Sequence, residues 1–228
     1  MNRSFTCCVT VLLVVALSGC GTSYRRTPAG EKPDKRAQTK IPVEAYLFDA
    51  RVHRDGKPTS FRLEIFQDRS DRSRLALGGR GYLGKGALKG WMRSDSLKIF
   101  FPSTREYVYE AVTDIFGSFN CVALNLDHGL ERYFTEPPEV GGESGLTVEL
   151  LQEKKKFREY VIHQPGCAWQ LTLRYDLQKN GWRVKRFEFD DGDKFRLTGK
   201  RREYKARAMV WPSKFIVPIP AGAVRIIL

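Results

Sequence analysis

RLALGGRGYLGKGALKGWMRSDSLKIFFPSTREYVYE, residues 74–110, decides the fold of this chain. Its short apolar runs are cut by glycines and by two turn signals, Ser94-Asp95-Ser96 and Pro102-Ser103-Thr104. That spacing suits an antiparallel meander and leaves no room for a crossover helix. Leu97, Ile99 and Phe101 alternate with Lys98 and Phe100, while Leu75 and Leu77 run on in one phase into Gly79 and Gly81. A period of two sends each set to one face of a sheet. Glycine inside a strand marks a bulge, a bend or a close approach. The stretch therefore predicts a bent sheet with space over its apolar face.

The same period extends in both directions. A first strand from about Ala45 places Tyr46, Phe48, Ala50 and Val52 on one face, and the turn at residues 54–58 returns the chain as a hairpin with Phe61, Leu63 and Ile65 inward. From Ser118 the period changes: Phe119, Val122, Ala123 and Leu126 have helical spacing, and Leu130, Tyr133 and Phe134 continue that stripe past Gly129. A helix over 118–134 is expected, lying across the concave face until Pro137, Pro138 and Gly141-Gly142 end it. Residues 146–152 and 157–164 read as a hairpin or as a second helix. Cys167, Trp169, Leu171, Leu173 and Tyr175 alternate strictly and predict a strand. Turns follow at Asn180-Gly181 and at Asp190-Asp191-Gly192-Asp193, and Phe195 and Leu197 open another strand. The tail from Lys214 gives two short apolar strands around Pro218, Pro220 and Gly222. The fold class is thus mainly β with an inserted helix (α+β). A strongly curved antiparallel sheet forms an incomplete barrel covered by one or two helices.

The first residues belong to none of this. Arg3 precedes an apolar run from Val9 to Leu17, too short to span a bilayer, which ends in Leu17-Ser18-Gly19-Cys20. That layout resembles the signal of bacterial lipoproteins, whose cysteine is acylated and becomes the mature N-terminus. The resemblance implies a signal peptide over 1–19, acyl chains on Cys20 and a protein that sits on a membrane through several chains. In lipoproteins an Asp after that cysteine often signals inner-membrane retention. Gly21 stands here, which points to the periplasmic side of the outer membrane. Residues 20–44 are polar, charged and Pro-containing, a flexible tether, and 45–228 form a single domain. Only Arg3 is charged before Cys20, so the mature chain keeps nearly all of the formal +13. Such a surface favours anionic head groups or acidic partners, and outside the cytoplasm nucleic acid is not an expected partner. Cys121 and Cys167 are the two cysteines left after Cys20; they form one disulfide or remain two buried thiols.

The segments RLALGGRGYLG (74–84) and SDSLKIFFP (94–102), the closing Trp211-Pro212 and the strand–helix–strand order behind a lipoprotein signal are similar to the LolA/LolB-like superfamily of lipoprotein carriers and receptors. The resemblance covers most of the mature chain. It implies an apolar cavity that accepts the acyl chains of a lipid or lipoprotein, and a receptor-type loop with Leu83 at its tip as a membrane contact. The polar stretch 22–40 departs from the amphipathic segment usual before the first strand. From the residues themselves, the lining of such a cavity is Phe61, Leu63, Ile65, Leu75, Leu77, Leu97, Ile99 and Phe101.

No catalytic constellation accompanies it. His53, His128 and His163 are isolated, without metal-ligand spacing, and no G-x-S-x-G occurs. The Asp190–Asp193 cluster is shorter than a calcium loop and reads as a hairpin turn. Neither cofactor nor metal is expected, and the reading is a non-enzymatic lipid or lipoprotein binder. The alternative is an interaction or assembly protein of the cell envelope that uses the same fold with its interior filled.

Overall fold

The computed structural model describes residues 39–54, 57–81, 84, 86–93, 96–111, 130–141 and 145–226. Six strands, β1 (Ile41–Arg54), β2 (Lys57–Asp68), β3 (Arg74–Arg80), β4 (Gly86–Arg93), β5 (Ser96–Phe101) and β6 (Glu106–Ala111), form a first meander. Five more, β7 (Thr147–Lys154), β8 (Phe157–His163), β9 (Gln170–Gln178), β10 (Gly181–Asp190) and β11 (Phe195–Val210), form a second, and β12 (Val224–Arg225) closes the list. The two meanders join where β1 pairs with β11 along its whole length, Ile41 opposite Val210 and Arg54 opposite Phe195. The order is β12-β6-β5-β4-β3-β2-β1-β11-β10-β9-β8-β7, antiparallel throughout except that β12 lies parallel to β6. Among the described residues the edge strands β7 and β12 do not pair with each other, so the strongly curved sheet stays open. Register shifts at Val43/Ala45 and Leu47/Phe48 in β1, and others at Gly79/Arg80, Val184/Arg186 and Leu150/Gln152, supply twist along the sheet.

The expected cover of helices is not found among the described residues. Among the described residues the helical segments are two 3-10 turns, Leu130–Phe134 and Pro212–Phe215. Of the helix expected over 118–134 only the final turn is described. It is held by packing, with Tyr133 buried and its carbonyl accepting the Tyr175 hydroxyl at 2.6 Å. The tail also differs from two apolar strands. Phe215 and Val217 are buried on either side of exposed Ile216, a true alternation, but with the prolines at 218 and 220 the stretch packs as a strap without a ladder. The strap leaves β11 and reaches the far edge as β12, where Val224 and Ile226 donate to the carbonyls of Arg105 and Tyr107.

Alternation divides the sheet into two faces. The core face carries Tyr46 and Phe48 of β1, Ile65 of β2 and Leu75 of β3, packed in one cluster with Val148, Tyr160, Ile162, Leu173, Tyr175 and Phe187 from β7 to β10. The other face, the strap face, buries Val43 and Ala76 under Phe215.

Candidate functional site

Where β10 and β11 part, charged side chains fill the gap. The two pair only between Arg186–Asp190 and Arg196–Lys200, after which β11 follows β1. Arg201 donates to the Val184 carbonyl at 2.8 Å and holds both oxygens of Asp176 at 2.7 Å. Arg183, 5% exposed, donates through Nε and Nη2 to both oxygens of Glu44, 8% exposed, at 2.9 and 3.0 Å. The hydroxyls of Tyr46 and Tyr204 add hydrogen bonds to Glu44 at 2.9 and 3.0 Å. Burial pushes the Glu44 carboxyl up, but Arg183 and the two hydroxyls outweigh it and leave its pKa below the ordinary value. Burial, with the charge of Glu44, pushes Tyr46 far up. Every member has a partner inside the network, so this is a joint between strands and not a reactive site.

The candidate site lies on the strap face. Between β2–β4 and the strap is a cavity of about 740 Å³ bordered on this face by Phe66, Ala76, Ile216 and Pro218, with Glu64, Arg80, Lys89 and Lys214 at its rim; Leu77 and Leu88 border it too, from positions that share the core face with Ile65 and Gly79. Its size and lining are those of a small-molecule pocket. Gly78 supplies the floor: a Cβ there would meet Glu64 at 3.5 Å, ordinary contact. Gly79 faces the other way, and a Cβ on it would stand 2.7 Å from Leu88 Cγ, so this glycine serves a close approach.

Beside this cavity a groove of about 980 Å³ crosses β10, β11, β1 and β2. Its border includes Arg51, Arg62, Arg80, Arg186, Arg196 and Lys200 against the carboxylates of Asp49 and Glu188. Arg80 and Gly84 border both spaces.

The residues expected to line a cavity are divided by the structure. Ile65 and Leu75 are buried in the main core, with Leu63, Leu77 and Leu97 half-buried against it. Phe101 is buried in a second cluster with Val108, and Ile99 packs beside it. Phe61 is half-buried at the border of the basic groove, and of the eight only Leu77 borders the apolar cavity. Cys20, Leu83 and Cys121 lie outside the described residues. Cys167 is disulfide-bonded. His53 borders the groove, His163 stands 3.3 Å from Glu149, and His128 lies outside the described residues. The Asp190 cluster is a hairpin turn, with Asp190 accepting the Gly192 amide and Asp191 those of Asp193 and Phe195. Among the described residues no three His, Cys, Asp or Glu side chains are grouped to hold a metal ion. Sequence reasoning missed the strap-face cavity because its roof comes from residues more than a hundred positions away from its floor.

Fold and site define an open, curved β-sheet protein with an apolar cavity beside a basic groove. No family model and no curated protein matches the chain. Solved structures are similar to it at low identity, and the expected likeness to LolA-superfamily proteins is met among them. An uncharacterised conserved protein from Thermus thermophilus has a TM-score of 0.44 at 12% identity, covering 85% of this chain and 93% of its own. A LolA superfamily protein from Nitrosomonas europaea has a TM-score of 0.37 at 12% identity, covering 92% and 98%. A domain provisionally assigned as an outer membrane lipoprotein-sorting protein, from Vibrio parahaemolyticus, has a TM-score of 0.38 at 7% identity, covering 72% and 84%. With TM-scores below 0.5, none of them fixes a function for this chain.

Proposed function

We propose that the protein is a membrane-anchored lipoprotein on the periplasmic side of the outer membrane. In this reading it binds an acyl chain of a lipid or lipoprotein, without enzymatic activity, for transport or insertion. The observation that carries the reading is the cavity of about 740 Å³ under the strap, with apolar walls and a glycine floor. Each ~100 Å² of chain surface covered there would contribute about 2.5 kcal/mol, so one chain is a sufficient source of affinity. Anchoring rests on the sequence ending in Cys20, and a disulfide between Cys121 and Cys167 belongs to the same oxidising compartment.

The test is titration of the mature protein with a fluorescent fatty acid. Saturable binding is expected in the wild type and its loss in Gly78→Phe, where the new ring fills the cavity. Non-saturable uptake, or equal binding by the variant, would contradict the assignment. A scaffold reading draws on the core face, where Phe48, Tyr46 and Tyr175 are fully buried and leave the β7–β10 half of the sheet packed. It predicts no saturable acyl binding at all.

A further inference from the structure

We propose that the apolar cavity and the basic groove are one bipartite site for an anionic phospholipid, its chain under the strap and its phosphate-bearing head group in the groove. The inference rests on the acyl-binding reading and adds the class of lipid. Three observations carry it.

The two spaces are contiguous, since Arg80 and Gly84 border both. They lie on one face of the sheet, and β2 runs from one to the other: Phe66 and Glu64 border the cavity, Arg62 and Ser60 the groove. From the Glu64–Gly78 pair to the Arg62–Arg80 pair is two residues, roughly 7 Å along the strand. A molecule with an apolar chain joined to a compact anion would therefore meet the matching surface for each part.

The groove's floor also carries an unusual arrangement of charge. Arg186 is opposite Lys200, Lys200 is opposite Asp49, Asp49 is opposite Arg62, and Arg62 is opposite Arg80. This transverse row across five strands holds four cations and one carboxylate. Like charges directly opposite each other destabilise a sheet, and here two such pairs stand in one row. Partial relief comes from outside it, Glu64 at 3.5 Å from Arg80 and Glu188 at 3.2 Å from Arg186. Asp49 itself is also drawn upon by Arg202 at 3.9 Å. Among the described residues, neither Arg62 nor Lys200 has a carboxylate within ion-pair distance. A phosphate above the row, within reach of Arg62 beside Arg80 and of Lys200 and held off the Asp49 carboxylate that lies between them, would offset the repulsion with charge-assisted hydrogen bonds. Arg51, one row further along and 3.4 Å from the Ser60 hydroxyl, offers a further donor.

The test compares four soluble probes on the mature full-length protein: short-chain phosphatidate, phosphatidylcholine with the same chains, the matching diacylglycerol, and glycerol 3-phosphate. Each is titrated against wild type and against the Arg62→Gln/Lys200→Gln variant, whose two positions lie outside the apolar cavity. Phosphatidate should bind wild type roughly tenfold or more tighter than phosphatidylcholine. The variant should lose that preference while keeping its affinity for diacylglycerol. Equal affinity for the two phospholipids, a preference that survives in the variant, or glycerol 3-phosphate binding as tightly as phosphatidate would each overturn the bipartite site. Diacylglycerol binding without a head-group preference sinks this inference alone. Failure of both phosphatidate and diacylglycerol to bind removes the acyl reading with it.

Discussion

Replacing Glu44 by Gln should destabilise the fold more than the loss of any exposed acid, because it leaves the Arg183 guanidinium buried without its counter-ion. Removing one partner of a buried pair costs about 3–5 kcal/mol. Arg183 keeps the carbonyls of Trp182 and Thr135 at 2.7 and 3.3 Å, which places the expected loss at the lower end, about 3 kcal/mol. Arg183→Met should cost a similar amount, since Glu44 then retains only two tyrosine hydroxyls. The double variant should fall roughly 2–3 kcal/mol short of the summed single losses, as side chains sharing one network do. Urea denaturation reads all three, and a loss of about 3 kcal/mol moves the midpoint by 1 M or more. The pH dependence follows from the lowered Glu44 pKa. A group depressed in the folded state contributes stability that is complete above its unfolded pKa of about 4.3 and is lost as pH falls through the lower folded value. Glu44→Gln should therefore flatten the acid limb of stability below about pH 4. Additive losses in the double variant, or acid limbs that run parallel in wild type and Glu44→Gln, would refute the joint as described.

Gly199→Ala should destabilise by about 1–3 kcal/mol, since a Cβ there runs into the Phe187 ring; a thermal midpoint unchanged from wild type would remove that contact from the account. Cys20→Ala should convert a membrane-fractionating protein into a soluble periplasmic one, and retention on membranes after a high-salt wash would speak against the anchor. Thiol labelling of the unreduced, denatured protein should spare Cys121 and Cys167, and modification of both would exclude their pairing.

Strands were legible where burial follows a period of two. Tyr46, Phe48, Ala50 and Val52 are all buried as their alternation required, and β1 merely starts at Ile41, ahead of Ala45. The hairpin alternative for 146–164 is the one realised, in β7 and β8. A helical stripe was a poorer guide, because Tyr133 and Phe134 pack on the core from a single 3-10 turn. Arg183 and Glu44 look in the sequence like any other charges of an alternating strand. Their burial follows from a sixteen-residue β11 overrunning its contact with β10, which no local pattern reports. The cationic row was equally hidden. Arg80, Arg62, Lys200 and Arg186 come from opposite ends of the chain and meet only once strand order and register are set.

The central claim, an acyl chain held between the strap and β2–β4, is tested most directly by photo-crosslinking with a fatty acid that carries a diazirine at its tail. Peptide mapping should place the label on the segments bearing Phe66, Ala76 and Ile216, and excess unlabelled fatty acid should remove it. Label concentrated on core-face residues such as Leu63 and Leu97, or scattered over the surface and indifferent to competitor, would contradict the claim.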